Sequence, residues 1–175
     1  MTISKATDDY LQPLVLAEAV AKPFESCSLA AYWDPAGFPT NGWGNLLSRV
    51  TKSKIMQQFG YSSKEADTWL REQWPDITQE EADKRFRINI DKAFTSTKRL
   101  VKIPLSPNQY AALIDFCFNC GSGNLQISTL LKLVNRGDFI LAADEFLKWN
   151  KAGGVVYRGL TRRRSVERKM FIGEM

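Results

Sequence analysis

The stretch from Glu25 to Gly44, ESCSLAAYWDPAGFPTNGWG, decides the reading of the whole chain. It carries a carboxylate at Glu25, a second at Asp34 and a hydroxyl at Thr40, with eight residues between the acids and five between Asp34 and Thr40. Pro35-Ala36-Gly37, Pro39 and the run Gly42-Trp43-Gly44 punctuate it. Turn residues at this density, set among alternating apolar side chains, predict a short and sharply bent β-meander. Two acids and a hydroxyl gathered by a small sheet suit acid/base chemistry. Cleaving a glycosidic bond needs one protonated carboxyl to serve the leaving oxygen, and a second, ionised one to direct water or form a covalent intermediate.

Around that stretch lie 175 residues, enough for one packed core or a core with a small satellite lobe. The composition, 44% hydrophobic and 25% charged, is that of an ordinary globular protein. A formal charge of +5 favours encounter with polyanions of any kind, from nucleic acid to an anionic bacterial envelope. The chain has no histidine, which excludes Ser-His triads and Cys-His dyads and removes the commonest metal ligand. Three cysteines, Cys27, Cys117 and Cys120, are too few for a closed zinc site and odd in number for a disulfide framework. No metal or organic cofactor is implied. The most apolar early run, Leu14 to Ala21, is short, interrupted by Glu18 and without a basic leader, so neither a signal peptide nor a signal anchor is expected.

Helical spacing predicts a first helix over residues 8–26, with Pro13 and Pro23 weakening its ends. The β-rich segment covers 29–50. Residues 51–76 read poorly: Ser62-x-x-Glu65 is a capping box opening a short helix through Leu70, and Pro75 stops it. Thr78-x-x-Glu81 is a second such box, and Ala82, Phe86, Ile90 and Phe94 follow at four-residue steps, predicting a long amphipathic helix to about Thr97. Ser106-Pro107-Asn108-Gln109 is the clearest helix start, ahead of YAALIDFCFNCG, which is apolar on nearly every side and should be buried. Gly121-Ser122-Gly123 ends it. Two further helices are expected near Ser128 to Asn135 and from Asp138 to Trp149, then a loop at Gly153-Gly154 and a last helix over Leu160 to Phe171.

The E-x8-D-x5-T spacing, with AYWDPAG and PTxGWG inside it, closely resembles the phage-type lysozymes of glycoside hydrolase family 24. YxALxxFxFNxG, STLL and GLxxRRxxE extend the resemblance over nearly all of the chain from residue 14 onward. It implies an α+β, mostly helical fold, with a small N-terminal β-lobe, a C-terminal helical lobe and a cleft between them. The implied layout is a single domain: residues 1–76 as first helix and β-lobe with an extension, 77–98 as connecting helix, 99–175 as helical lobe. The resemblance makes Glu25 the general acid, Asp34 the water-orienting base and Thr40 the hydroxyl that helps hold the water. It places Leu46, Phe118 and Ser128 along the substrate. Ser26 stands where the family often has Gly, and Asn45 where it often has His, so no histidine orients the acid here.

The expected reaction is hydrolysis of the β-1,4 bond between N-acetylmuramic acid and N-acetylglucosamine in peptidoglycan, as in a phage endolysin. Burial at a helix-sheet junction would raise the pKa of Glu25 enough to keep it protonated. Carboxyls roughly 6.5–9.5 Å apart would give inversion and roughly 5–5.5 Å retention, and the family favours the first. A lytic transglycosylase would need one acid alone, so Asp34 and Thr40 argue against it; they argue equally against a non-catalytic wall-binding or nucleic-acid-binding domain on the same scaffold. The basic run Arg158, Arg162, Arg163, Arg164, Arg168 and Lys169 reads as a solvated helix face and not as a nucleic-acid footprint. Cys117 and Cys120 read as buried packing rather than a redox pair. The expected partner is bacterial peptidoglycan, met by a monomer without nucleic acid or stable membrane insertion. The implied route is the host cytoplasm, then the periplasm through a holin.

Overall fold

The computed structural model describes the backbone of residues 2–175 and the side chains from Tyr10 onward. The chain opens with α1 (Thr2–Ala21), which ends earlier than its apolar spacing suggests. Pro23 disfavours helical backbone in the residue before it, and the chain tightens into a 3-10 turn over Lys22–Phe24. Pro13 lies inside this helix and is buried, not at its edge. Three strands follow, β1 (Ser28–Trp33), β2 (Pro39–Gly42) and β3 (Asn45–Leu46), paired antiparallel in the order β1-β2-β3. This is the meander the turn residues predict.

The next helices are α2 (Lys52–Phe59), α3 (Ser63–Gln73) and α4 (Gln79–Leu100). Both halves of the Ser62/Glu65 capping box form at the start of α3. The sequence reading missed α2. Its one buried residue, Ile55, leaves no periodicity to find, and its true signals are the caps: Thr51, whose hydroxyl accepts from Lys54 N, and the left-handed Gly60 at φ 69°. In α4 the anticipated stripe is buried at Ala82, Phe86, Ile90 and Phe94, and the helix runs three residues past Thr97.

The remaining elements are α5 (Pro107–Cys120), α6 (Ser122–Ile127), α7 (Thr129–Arg136), α8 (Phe139–Phe146), β4 (Lys151–Ala152), β5 (Val155–Val156) and α9 (Arg158–Phe171). Ser106 and Gln109 form the expected capping box, and every residue from Ala111 to Cys117 is buried. The sequence reading missed α6 as well, because Gly121 and Gly123 read as a helix stop and Leu125 is its only buried anchor. Gly153 and Gly154, both at positive φ, close a hairpin between β4 and β5 where a loop is expected.

Two compact units emerge. One holds residues 25–88: the sheet, α2, α3 and the first part of α4. The other holds residues 1–24 and 89–175, so α1 belongs with the C-terminal helices and packs on α5. In this second unit the basic run departs from its expected role. Arg163 and Arg164 are buried, together with Glu167 and Asp115. Arg163 grips Asp115 with two nitrogens, at 3.1 and 2.5 Å, and Arg164 meets Glu167 at 2.8 Å, so α9 turns charge into the core, not into water. The helix is amphipathic in a way that charge counting cannot reveal, because its buried cations are matched by acids partly on another helix.

Candidate active site

All three residues of the Glu25-Asp34-Thr40 set fall in the sheet unit. Asp34 closes β1. Its carbonyl accepts from Gly37 N at 2.8 Å, which makes residues 34–37 a β-turn with Pro35 second and a left-handed Gly37 last. Its side chain is part of the same turn: Oδ1 accepts from Ala36 N at 2.9 Å and from Phe38 N at 2.8 Å. Two backbone donors on one oxygen fix the carboxylate's direction and leave the lone pairs of the other oxygen for chemistry.

Thr40 lies in β2, directly opposite Tyr32 of β1 and Leu46 of β3. It is 4% exposed, and its hydroxyl donates to Phe38 O at 3.2 Å. Cross-strand partners share a face, and Asp34 is two residues on from Tyr32, so the strand period puts Tyr32, Asp34 and Thr40 on one side of the sheet. Glu25 reaches the same neighbourhood from the segment before β1. Its Oε2 lies 3.9 Å from where a side chain on Gly44 would begin, against the turn that joins β2 to β3. Gly44 itself is held at φ 81°, which only glycine adopts without strain.

Tyr32 joins these groups. Burial pushes its phenol above the usual range, and the negative charges of Asp34, Glu25 and Cys27 push it the same way, so at neutral pH it is a hydrogen-bond donor beside both acids. The sequence reading quotes Tyr32 and gives it no role, although the strand period alone was enough to place it beside Asp34. Behind the turn, Trp43 donates to Asp83 at 2.7 Å and packs on Phe86, while Arg85 donates to the buried Asn41 at 3.4 Å. These contacts tie the β2–β3 turn to α4.

The three further positions are dispersed. Leu46 is 46% exposed in β3, next to Thr40 in the sheet register. Phe118 and Ser128 belong to the other unit. Phe118 is half-buried with the Arg163 guanidinium 5.7 Å from its ring. Ser128 caps α7: its Oγ accepts from Leu131 N at 3.0 Å and donates to Leu125 O at 2.7 Å. Among the described residues no group of three or more His, Cys, Asp or Glu is arranged to hold a metal ion.

The profile of the phage lysozyme family matches residues 22–167, which takes in every residue of this site. The chain belongs to the phage lysozyme family. Relatives and solved structures fit that membership. The endolysin of Salmonella phage P22 is 33% identical over 146 residues, covering 82% of this chain and 86% of its own length. The endolysin of Bacillus phage B103 is 44% identical over 96 residues, 55% of this chain. The chain spans only about a third, 36%, of the length of the B103 protein. The muramidase domain of SpmX from Asticaccaulis excentricus superimposes with a TM-score of 0.67 at 26% identity, over 91% of this chain and 94% of that one. The architecture is accordingly the α+β lysozyme-like fold that the resemblance implied.

Proposed function

We propose that this phage lysozyme is an endolysin that hydrolyses the β-1,4 bond between N-acetylmuramic acid and N-acetylglucosamine in peptidoglycan. The observation that carries the reading is the gathering of Glu25, Asp34, Thr40 and Tyr32 about one small sheet, with Asp34 aimed by two backbone donors. In this reading Glu25 is the general acid. It protonates the glycosidic oxygen as the bond breaks. Asp34 is the base: fixed in direction by its turn, it takes a proton from water as that water attacks the anomeric carbon, and Thr40 helps to hold the water. Leu46, Phe118 and Ser128 are carried as residues along the glycan strand. The protein acts as a monomer, and it passes from the host cytoplasm to the wall through a holin. No helix among the described residues is long and apolar enough to cross a membrane.

Lysis of outer-membrane-permeabilised Gram-negative cells, followed by turbidity, tests the assignment. Glu25→Gln keeps the side chain's shape and removes its proton transfer, so the rate should fall by about 10²–10⁴-fold, the usual range for a general acid. Equal lysis by both proteins would move the chemistry to other residues. No lysis by the wild type would remove the hydrolase reading itself.

A further inference from the structure

The α2–α3 hairpin carries more aromatic surface than its own packing requires. Ile55, Ala66 and Leu70 are the buried residues of the two helices. Beside them Phe59, Tyr61, Trp69 and Trp74 form a second cluster in which Phe59 is 46% exposed and the other three are partly buried. Phe59 and Tyr61 stack at 5.3 Å with their planes 25° apart, and Trp69 leans on Phe59 at 34°. Next to these rings is a cavity of about 210 Å³ lined by Tyr61, Glu65, Thr68, Trp69 and Glu72.

The lining residues follow the helical period, so the cavity is a groove along one face of α3 and not a hole. Glu65 and Glu72 are seven residues apart, roughly 10 Å along the helix axis, with Trp69 and Thr68 between them. Glu65 is a fixed acceptor. Its Oε2 takes the Ser62 N–H at 2.7 Å, the Ser62 hydrogen bonds hold its carboxyl below the ordinary range, and its second oxygen retains acceptor capacity. Thr68 spends its hydroxyl proton on Lys64 O at 3.2 Å and therefore also faces a ligand as an acceptor. Flat rings flanked by spaced acceptors match a sugar strand: the C–H faces of the pyranoses lie on the rings, and hydroxyl and acetamido N–H groups donate to the oxygens. A cage for an ammonium group would surround one point with rings at steep mutual angles. Phe59 instead lies 25° from Tyr61 and 34° from Trp69. Trp69 and Trp74 do meet edge-on at 83°, but Trp74 is not among the residues that line the groove.

We propose that this groove is a second, non-catalytic site for a β-1,4-linked strand of N-acetylated amino sugars. The choice of that polymer rests on the function proposed above; the presence of a site rests on the groove alone. It would hold the enzyme to the wall between cleavage events.

The test uses the full chain carrying Glu25→Gln, so that nothing is cut, and measures its partition onto purified peptidoglycan sacculi. Adding Trp69→Ala should weaken retention about tenfold, the scale of one aromatic anchor, and adding Glu72→Gln about threefold. Glu72 is exposed, so its variant leaves the fold intact and decides the matter if Trp69→Ala unfolds the hairpin. Soluble chitotetraose should compete, and neither variant's loss should shrink in high salt, which screens charge but not stacking. Unchanged retention in both variants overturns the site. Competition by tetramethylammonium in place of chitotetraose overturns the sugar assignment in favour of a cation. Trp69-dependent retention with no lysis by the wild type would sink the hydrolase reading and leave the site standing, and the opposite pattern would sink the site alone.

Discussion

The two units of this protein handle buried or half-buried acids in opposite ways. In the sheet unit, Asp34 is half-exposed and held by backbone N–H groups of its own turn. In the helical unit, Asp115 and Glu167 are wholly buried, and guanidinium groups from α9 face them. A carboxyl positioned by amides at the surface keeps an open oxygen, so it can act on something that arrives. A carboxyl enclosed with arginines is matched in place, by a cation or by a retained proton, and its work is done once the fold has formed. Identical side chains are placed for contact with solvent in one unit and for architecture in the other, and what differs is whether the partner is a backbone dipole or a buried cation.

The largest effect should separate the two roles at Asp34. Asparagine can still accept from Ala36 N and Phe38 N, so Asp34→Asn should leave the turn in place and cost about 1 kcal/mol in urea unfolding, the difference between a charged and a neutral acceptor. Lysis should nevertheless fall by about 10²–10⁴-fold, because an amide is no base. A stable variant with near-normal lysis would break the comparison at its sheet end.

The helical end should behave in reverse. Arg164 donates to Asn119 at 2.8 Å, reaches Cys120 Sγ at 3.1 Å and lies 5.0 Å from the Phe116 ring, besides facing Glu167. Arg164→Met keeps most of the volume but leaves Asn119 Oδ1 and the Glu167 carboxyl without their buried donor, which should cost about 1–3 kcal/mol of stability. Lysis per folded molecule should change little. A loss of lysis without a loss of stability would mean that the charged cluster serves the reaction directly.

The same contrast explains what could be read from the sequence. The meander was legible because its turns depend on glycine and proline, whose backbone preferences are local, and because Asp34 makes its bonds within four residues. The capping boxes at Ser62 and Ser106 were legible for the same reason. The α9 cluster was not. Arg163 finds its partner 48 positions away on α5, and no local rule separates a cation that will meet a buried acid from one that will meet water. Helices α2 and α6 were missed because each has a single buried residue and therefore no period to detect. Tyr32 is the instructive omission. Its place beside Asp34 follows from counting by two along the chain, whereas its nearness to Glu25 depends on how the segment before β1 folds back, which no local period shows.

The smallest expected effect concerns the protonation of Glu167. Burial drives its carboxyl well above the usual range, Asp115 pushes the same way, and Arg164 and then Arg163 pull it back. Arg164 lies close to Oε1 without an aligned hydrogen bond to it, whereas the neighbouring Asp115 carboxyl favours the protonated form of Glu167, which can donate to it. The folded protein therefore keeps a proton that the unfolded chain releases near the ordinary carboxylate value, about 4.3. Below that value both states carry the proton and this group adds no pH dependence. Above it the folded state binds more protons than the unfolded one, so stability must fall as pH rises, until the buried carboxyl ionises as well. Glu167→Gln imitates the protonated side chain at every pH. Urea unfolding of the wild type should thus lose ground to the variant as pH rises from the acid range to neutrality, with the two curves converging at low pH. A wild type that instead gained on the variant as pH rose would mean that the two arginines hold Glu167 ionised in the fold, and the helical unit would then neutralise its acids by charge alone.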